Sequence, residues 1–128
     1  VNFLVVHRCL GDATRVRILS LLLEGPLCVG HLAAILKVDQ AKVSRHLKVL
    51  KAADAVVTQR CHNWTIYRLN RRPDALLKAN LRHLKAARAA EPILTRDLAA
   101  RVRILAQLQA TCGDDLPAEL RCIVRGTC

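Results

Sequence analysis

The sequence predicts a mainly α-helical domain carrying one β-hairpin, and three observations support that class. Apolar residues recur at helical spacing through the first half of the chain and again after Pro73. Asp12 and Asp39 each stand directly before such a run, where a carboxylate caps a helix by accepting hydrogen bonds from its free amides. Between the helical stretches, Val56–Arg60 and Trp64–Leu69 are rich in β-branched and aromatic residues, the pattern of two paired strands.

Each element follows in turn. Residues 2–10 are mostly apolar and read as a short first helix, which Gly11 breaks. From Ala13 to Glu24, Val16, Ile18, Leu19, Leu21, Leu22 and Leu23 support a buried second helix, stopped by Gly25-Pro26. A third helix is expected from about Cys28 to Leu36, with Leu32, Ile35 and Leu36 on one face. Val38-Asp39 makes a tight turn into a fourth helix that runs to about Ala53. There Val43, Leu47 and Leu50 share one face, while Lys42, Arg45, Lys48 and Lys51 occupy the other. The two strands are joined through Cys61-His62-Asn63. Pro73 suits the first turn of a fifth helix to about Ala90, and Glu91-Pro92 separates it from a sixth that runs to about Ala110.

Three helices, a short turn, a fourth helix and a hairpin make the layout of a winged helix-turn-helix. In that layout the fourth helix enters the major groove, and the hairpin, or wing, reaches flanking phosphates or the minor groove. Residues 1–90 form the expected DNA-binding and dimerisation unit. Residues 91–128 add a C-terminal helix and a cysteine-bearing tail.

Charge narrows the function. Lys and Arg total 21 against 10 acids, a net charge of +11 with a pI near 10.2. Residues 1–90 hold all of the excess, whereas basic and acidic residues balance in 91–128. A basic domain of this size meets a polyanion, with nucleic acid the leading candidate; a basic surface kept only for solubility is the bland alternative. One Phe, one Trp and one Tyr are too few for a stacking platform on single strands. The apolar runs are too short to span a bilayer, so no membrane partner is expected. No nucleophile–base set or phosphate loop stands out, so an enzyme is not expected.

Four stretches, in order, carry a specific resemblance. Leu10-Gly11-Asp12-Ala13-Thr14-Arg15-Val16-Arg17-Ile18-Leu19 is similar to LGDPTRxRIL, and Leu27-Cys28-Val29-Gly30-His31-Leu32 to LCVCDL or LCVGDL. Gln40 through Leu50 is similar to QPKVSRHLxxL, and Ile66-Tyr67-Arg68-Leu69 to the end of a wing. Together they resemble the ArsR/SmtB family of winged-helix repressors, closest to its arsenic-type members. The resemblance implies a cytoplasmic homodimer, paired through its first and fifth helices, that binds double-stranded operator DNA without a cofactor and releases it when an inducer binds. The apolar stretches at Phe3–Val6 and at Leu76, Leu77, Leu81 and Leu84 fit such pairing, though interior packing would use them equally well.

On the recognition helix, Gln40, Lys42, Ser44 and Arg45 carry the donors and acceptors. Gln reads adenine and Arg reads guanine bidentately, while Ser and Lys more often hold phosphates. The plainer reading is a solvated helix face. His46 either packs toward the helix pair or contacts DNA backbone, and Arg60 is the wing contact. His62 and Asn63 depart from the Gly and Arg usual at the wing tip.

For sensing, Cys28 is the first choice, because it aligns with the first cysteine of CVC. Gly30 replaces the second, so a two-thiol site is not intact there. His31, three residues on, shares a helix face with Cys28 and stands where the family has a metal-binding acid. Cys9, Cys112 and Cys122 are the further candidate ligands, with Cys28 as a small core residue and the tail cysteines as bystanders the competing readings. Three thiolates would suit As(III) or Sb(III). The alternatives are a thiophilic divalent ion (Zn, Cd or Pb) on Cys28 and His31, or a cysteine-based redox switch. The family's zinc site on the fifth helix is not expected, because Arg71 and Pro73 occupy its early positions and His83 stands alone.

Overall fold

A computed structural model of the chain describes residues 3–61 and 64–112 and, beyond them, Ala118 and Arg121. Helix α1 (Phe3–Leu10) leads into α2 (Ala13–Leu22), then strand β1 (Leu27–Cys28) and α3 (Val29–Leu36). The recognition helix α4 (Gln40–Ala52) follows, then β2 (Val56–Cys61) and β3 (Trp64–Leu69). Helix α5 (Ala75–Ala87), a 3-10 turn (Arg88–Ala90) and α6 (Pro92–Cys112) complete the fold. This is the winged helix-turn-helix that the pattern predicts.

The caps explain why the helices start where they do. Asp12 accepts from the amides of Thr14 and Arg15, at 2.8 and 3.2 Å, and Asp39 from that of Lys42, at 2.9 Å. The fifth helix starts later than Pro73 because Asp74 caps it, accepting from the Leu77 amide at 2.8 Å. It also ends at Ala87 rather than Ala90, tightening into the 3-10 turn. Helix α2 stops at Leu22, where the Glu24 and Gly25 amides switch to partners three residues back. Gly25 then takes φ 139°, a backbone open to glycine. Helix α6 runs two residues past the expected end, to Cys112.

One element was invisible to pattern reading. Leu27 and Cys28 form a third strand, paired antiparallel with Tyr67 and Ile66 of β3, so the sheet order is β1-β3-β2. Cys28 therefore lies outside the helix it was expected to open. It is the N-cap of α3, extended at φ −86° and ψ 160°, with no side-chain cap bond.

The core is aliphatic. Ile18, Leu19 and Leu21 of α2 meet Leu32 of α3, Val43, Leu47 and Leu50 of α4, and Leu77, Leu81 and Leu84 of α5. Hence those α5 leucines pack inside the chain, while Phe3 and Leu4 on α1 are 60% and 75% exposed. Helix α6 belongs to the same core through Leu94, Ala100 and Leu105. It is clamped to α2 by a two-pronged ion pair, Arg17 to the Asp97 carboxylate at 2.8 and 2.9 Å. Asp97 is 2% exposed, so the pair is nearly dry and neither partner is dispensable. Arg88 ties the 3-10 turn to α2, donating to the Ser20 carbonyl and pairing with Glu24.

Candidate nucleic-acid interface and sensing cluster

Helix α4 has two faces because of its spacing. Val43, Leu47 and Leu50 point into the core, which turns Gln40, Lys42, Ser44, Arg45, Lys48 and Lys51 into solvent. Four of the five nucleic-acid candidates on this helix are thus exposed on one element. Arg60 is exposed on β2, opposite Thr65 of β3. The wing tip, with His62 and Asn63, falls outside the described residues.

His46 goes elsewhere. Its ring turns toward the start of α2, where Arg15 Nη1 donates to Nδ1 at 3.1 Å and Asp12 Oδ1 lies 3.8 Å away. Burial lowers its pKa, and Arg15, Lys42 and Arg45 add to that, more than offsetting the opposing pull of Asp12. A neutral ring accepting from Arg15 fits that direction. Burial raises the Asp12 carboxyl, but the Arg15 amide, His46 and the Thr14 amide outweigh it and hold the group below the ordinary range. His46 is therefore a strut between α2 and α4 that positions the helix. Arg15 is the partner that sequence reading missed.

The cysteine cluster is of the opposite kind. Cys28 is buried with Ile66, and Trp64 packs against them. Burial pushes the Cys28 thiol up to about 11. His31 lies over the same tryptophan, with ring centroids 5.5 Å apart, and burial lowers its pKa. Its Nδ1 is buried with no hydrogen-bond partner. An imidazole with a bare ring nitrogen and a thiol thus both pack against one indole, a nitrogen and a sulfur donor three residues apart. Trp64 was not singled out from the sequence. Its signal was strand period: Trp64 and Ile66 share a face, and Ile66 pairs with Cys28.

Of the remaining ligand candidates, only Cys9 has a described side chain, and it lies apart from this pair. Cys9 is buried in the main core, its thiol raised by desolvation against the opposing pull of Arg15 and Arg8. Cys112 ends α6 with its side chain outside the described residues, as Cys122 is altogether. Among the described residues, no three His, Cys, Asp or Glu side chains gather as a metal set. The two regions adjoin, because α3 packs against α4 and the end of the Gln40 side chain leaves room for a methyl group at Gly30.

Helices α2–α4, with α4 exposed and basic on its outer side, and the β2–β3 hairpin beside them define the winged helix-turn-helix class. Residues 12–56 match the family described as "Bacterial regulatory protein, arsR family". An HTH-type transcriptional regulator of Mycobacterium tuberculosis is 40% identical over 74 residues, 58% of this chain and 69% of that protein. The chain belongs to the ArsR family. It is also 42% identical over 67 residues to an arsenic resistance transcriptional regulator of Pseudomonas putida, and it spans about half (52%) of that relative's length. In structure it is similar to HlyU from Vibrio cholerae, with a TM-score of 0.58 at 28% identity over 65% of this chain and 87% of that one. Among the described residues, no helix is long and apolar enough to cross a membrane.

Proposed function

We propose that the protein is a homodimeric repressor that binds operator DNA through α4 and releases it when a thiophilic inducer binds, with As(III) or Sb(III) first in line. The observation that carries this reading is the packing of the buried Cys28 and of His31 against Trp64 at the start of α3, the helix that packs on α4. An ion drawn to the Cys28 sulfur must displace its proton and reorder the start of α3. That movement is passed to α4, which packs against α3. Coupling of about 1–3 kcal/mol, a roughly 5- to 150-fold loss of DNA affinity, is ordinary for such linkage.

Gln40, Lys42, Ser44 and Arg45 are the residues proposed to meet DNA, with Arg60 on the wing and His46 acting through the α2–α4 strut. Arsenite would need two more thiolates beside Cys28, for which Cys112 and Cys122 are the proposed sources. The bare His31 nitrogen specifically favours a second reading, a divalent ion such as Zn, Cd or Pb held by Cys28 and His31. A redox switch is less favoured at Cys9 and Cys28, because burial raises both thiols and so suppresses the reactive thiolate. Dimer pairing through α1 and α5, with Phe3 and Leu4 supplying exposed apolar surface, belongs to the same proposal. So does a cytoplasmic setting that keeps the thiols reduced.

The test is fluorescence anisotropy on DNA selected by the protein from a random pool. The complex is titrated with arsenite, antimonite, zinc, cadmium and lead under reducing conditions. Release by arsenite or antimonite that is lost in Cys28→Ser and in a chain ending at Thr111 supports the metalloid reading. Release by a divalent ion, lost in His31→Gln, moves the assignment to the mixed pair. No release by any ion rejects metal sensing.

A further inference from the structure

The recognition helix borders a second feature that neither DNA nor the cysteine cluster accounts for. Between α1 and the C-terminal half of α4 lies an open groove of about 520 Å³, inside the roughly 300–1,000 Å³ range of small-molecule sites. Val5 and Cys9 of α1 face Val49 and Ala52 of α4 across it, which makes the floor apolar. Its charged lining consists of Arg8, Arg45 and Lys48, with no carboxylate.

That pairing of surfaces selects a ligand class. A bare phosphate or sulfate would satisfy the cations but leave the apolar floor wet. A neutral hydrocarbon would cover the floor and crowd unpaired cations, which is costly. A small molecule with an apolar body and an anionic head does both. We infer that the α1–α4 groove is a binding site for an amphiphilic anion, such as a medium-chain carboxylate, whose head group pairs with Arg8, Arg45 and Lys48. Because Arg45 is also proposed to meet DNA, an occupied groove withdraws that cation from it. The protein thereby carries a second effector site that needs no cysteine chemistry at Cys28.

Decanoate is the probe, with decanol as its neutral match, each titrated into the full chain by isothermal titration calorimetry. The expected result is saturable binding of one decanoate per chain, with decanol weaker by about tenfold or more, the usual effect of losing a charge-assisted hydrogen bond. Arg8→Gln weakens decanoate while leaving the groove open, and Ala52→Leu fills the groove and blocks both ligands. Equal affinity for the two probes, indifference to both substitutions, or no saturable heat overturns the site. Decanoate is also expected to lower DNA affinity in Cys28→Ser as in the parent chain; binding without that loss overturns the link to DNA. The calorimetry requires no operator, so failure of the repressor reading and failure of this site are separately visible. If self-association covers the groove instead, decanoate heat appears only as the protein is diluted to monomer, which also rejects the proposal.

Discussion

The solvent face of α4 and the cluster around Cys28 lie on neighbouring helices yet are built by opposite rules. The α4 face is exposed, charged and largely uncommitted, and its chemistry is what its side chains carry in water. The Cys28 cluster is buried, neutral and made by three elements at once: the β1–α3 junction, α3 itself and β3. Surface cations tolerate substitution because water replaces whatever is lost. Buried donors do not, since burial itself sets their protonation. Changes on the outer face of α4 therefore cost the fold little, while changes at Cys28 disturb the packing that holds it.

The sharpest way to break this contrast is to change the two faces of α4 one at a time. Leu47→Ala removes a buried side chain from the underside and is expected to destabilise the protein by about 2–5 kcal/mol, measured by urea unfolding. Arg45→Ala, on the outer face, should leave stability within about 0.5 kcal/mol yet cost about 1–3 kcal/mol in DNA affinity. An Arg45 variant that unfolds early would show that the outer face is structural after all. Removing the α4 cap is a smaller and purely local loss: Asp39→Ala should cost about 1 kcal/mol in unfolding, because the Lys42 amide loses its acceptor.

The smallest expected effect concerns pH. His31 and His46 both have lowered pKa values in the fold, chiefly because burial disfavours their charged forms. The unfolded chain therefore binds more protons between the folded values and about 6.5, and stability falls as pH drops through that window. Above it, both states are neutral at these rings and the effect vanishes. Thermal melts at pH 7.5 and 5.5 should show the drop, and the double replacement His31→Gln, His46→Gln should flatten it. An unchanged slope in that double variant would place the pH sensitivity elsewhere, with carboxylates such as Asp12 first in line at still lower pH.

How far the site could be read in advance differed between the two regions for the same reason. Gln40, Lys42, Ser44 and Arg45 were legible because helix periodicity alone decides which residues oppose Val43, Leu47 and Leu50. His46 was legible only as two alternatives, since the choice between them depends on Arg15 and Asp12, more than thirty residues away. Cys28 was found by resemblance, but its state was hidden. A two-residue strand has no period to detect, and only pairing with Ile66 shows that the thiol is held under a sheet rather than on a helix.

The order of elements, the winged helix-turn-helix class, the basic outer face of α4 and the family can all be read along the chain. All of these rest on signals local in the chain: a cap, a spacing, a turn, a run of motifs. Long-range packing alone turns α5's leucines inward, locks Asp97 of α6 onto Arg17, and sets Trp64 against both Cys28 and His31. Each of those is a meeting of residues far apart in sequence. Local patterns say which face an element presents, but what that face meets is fixed by how the whole core closes.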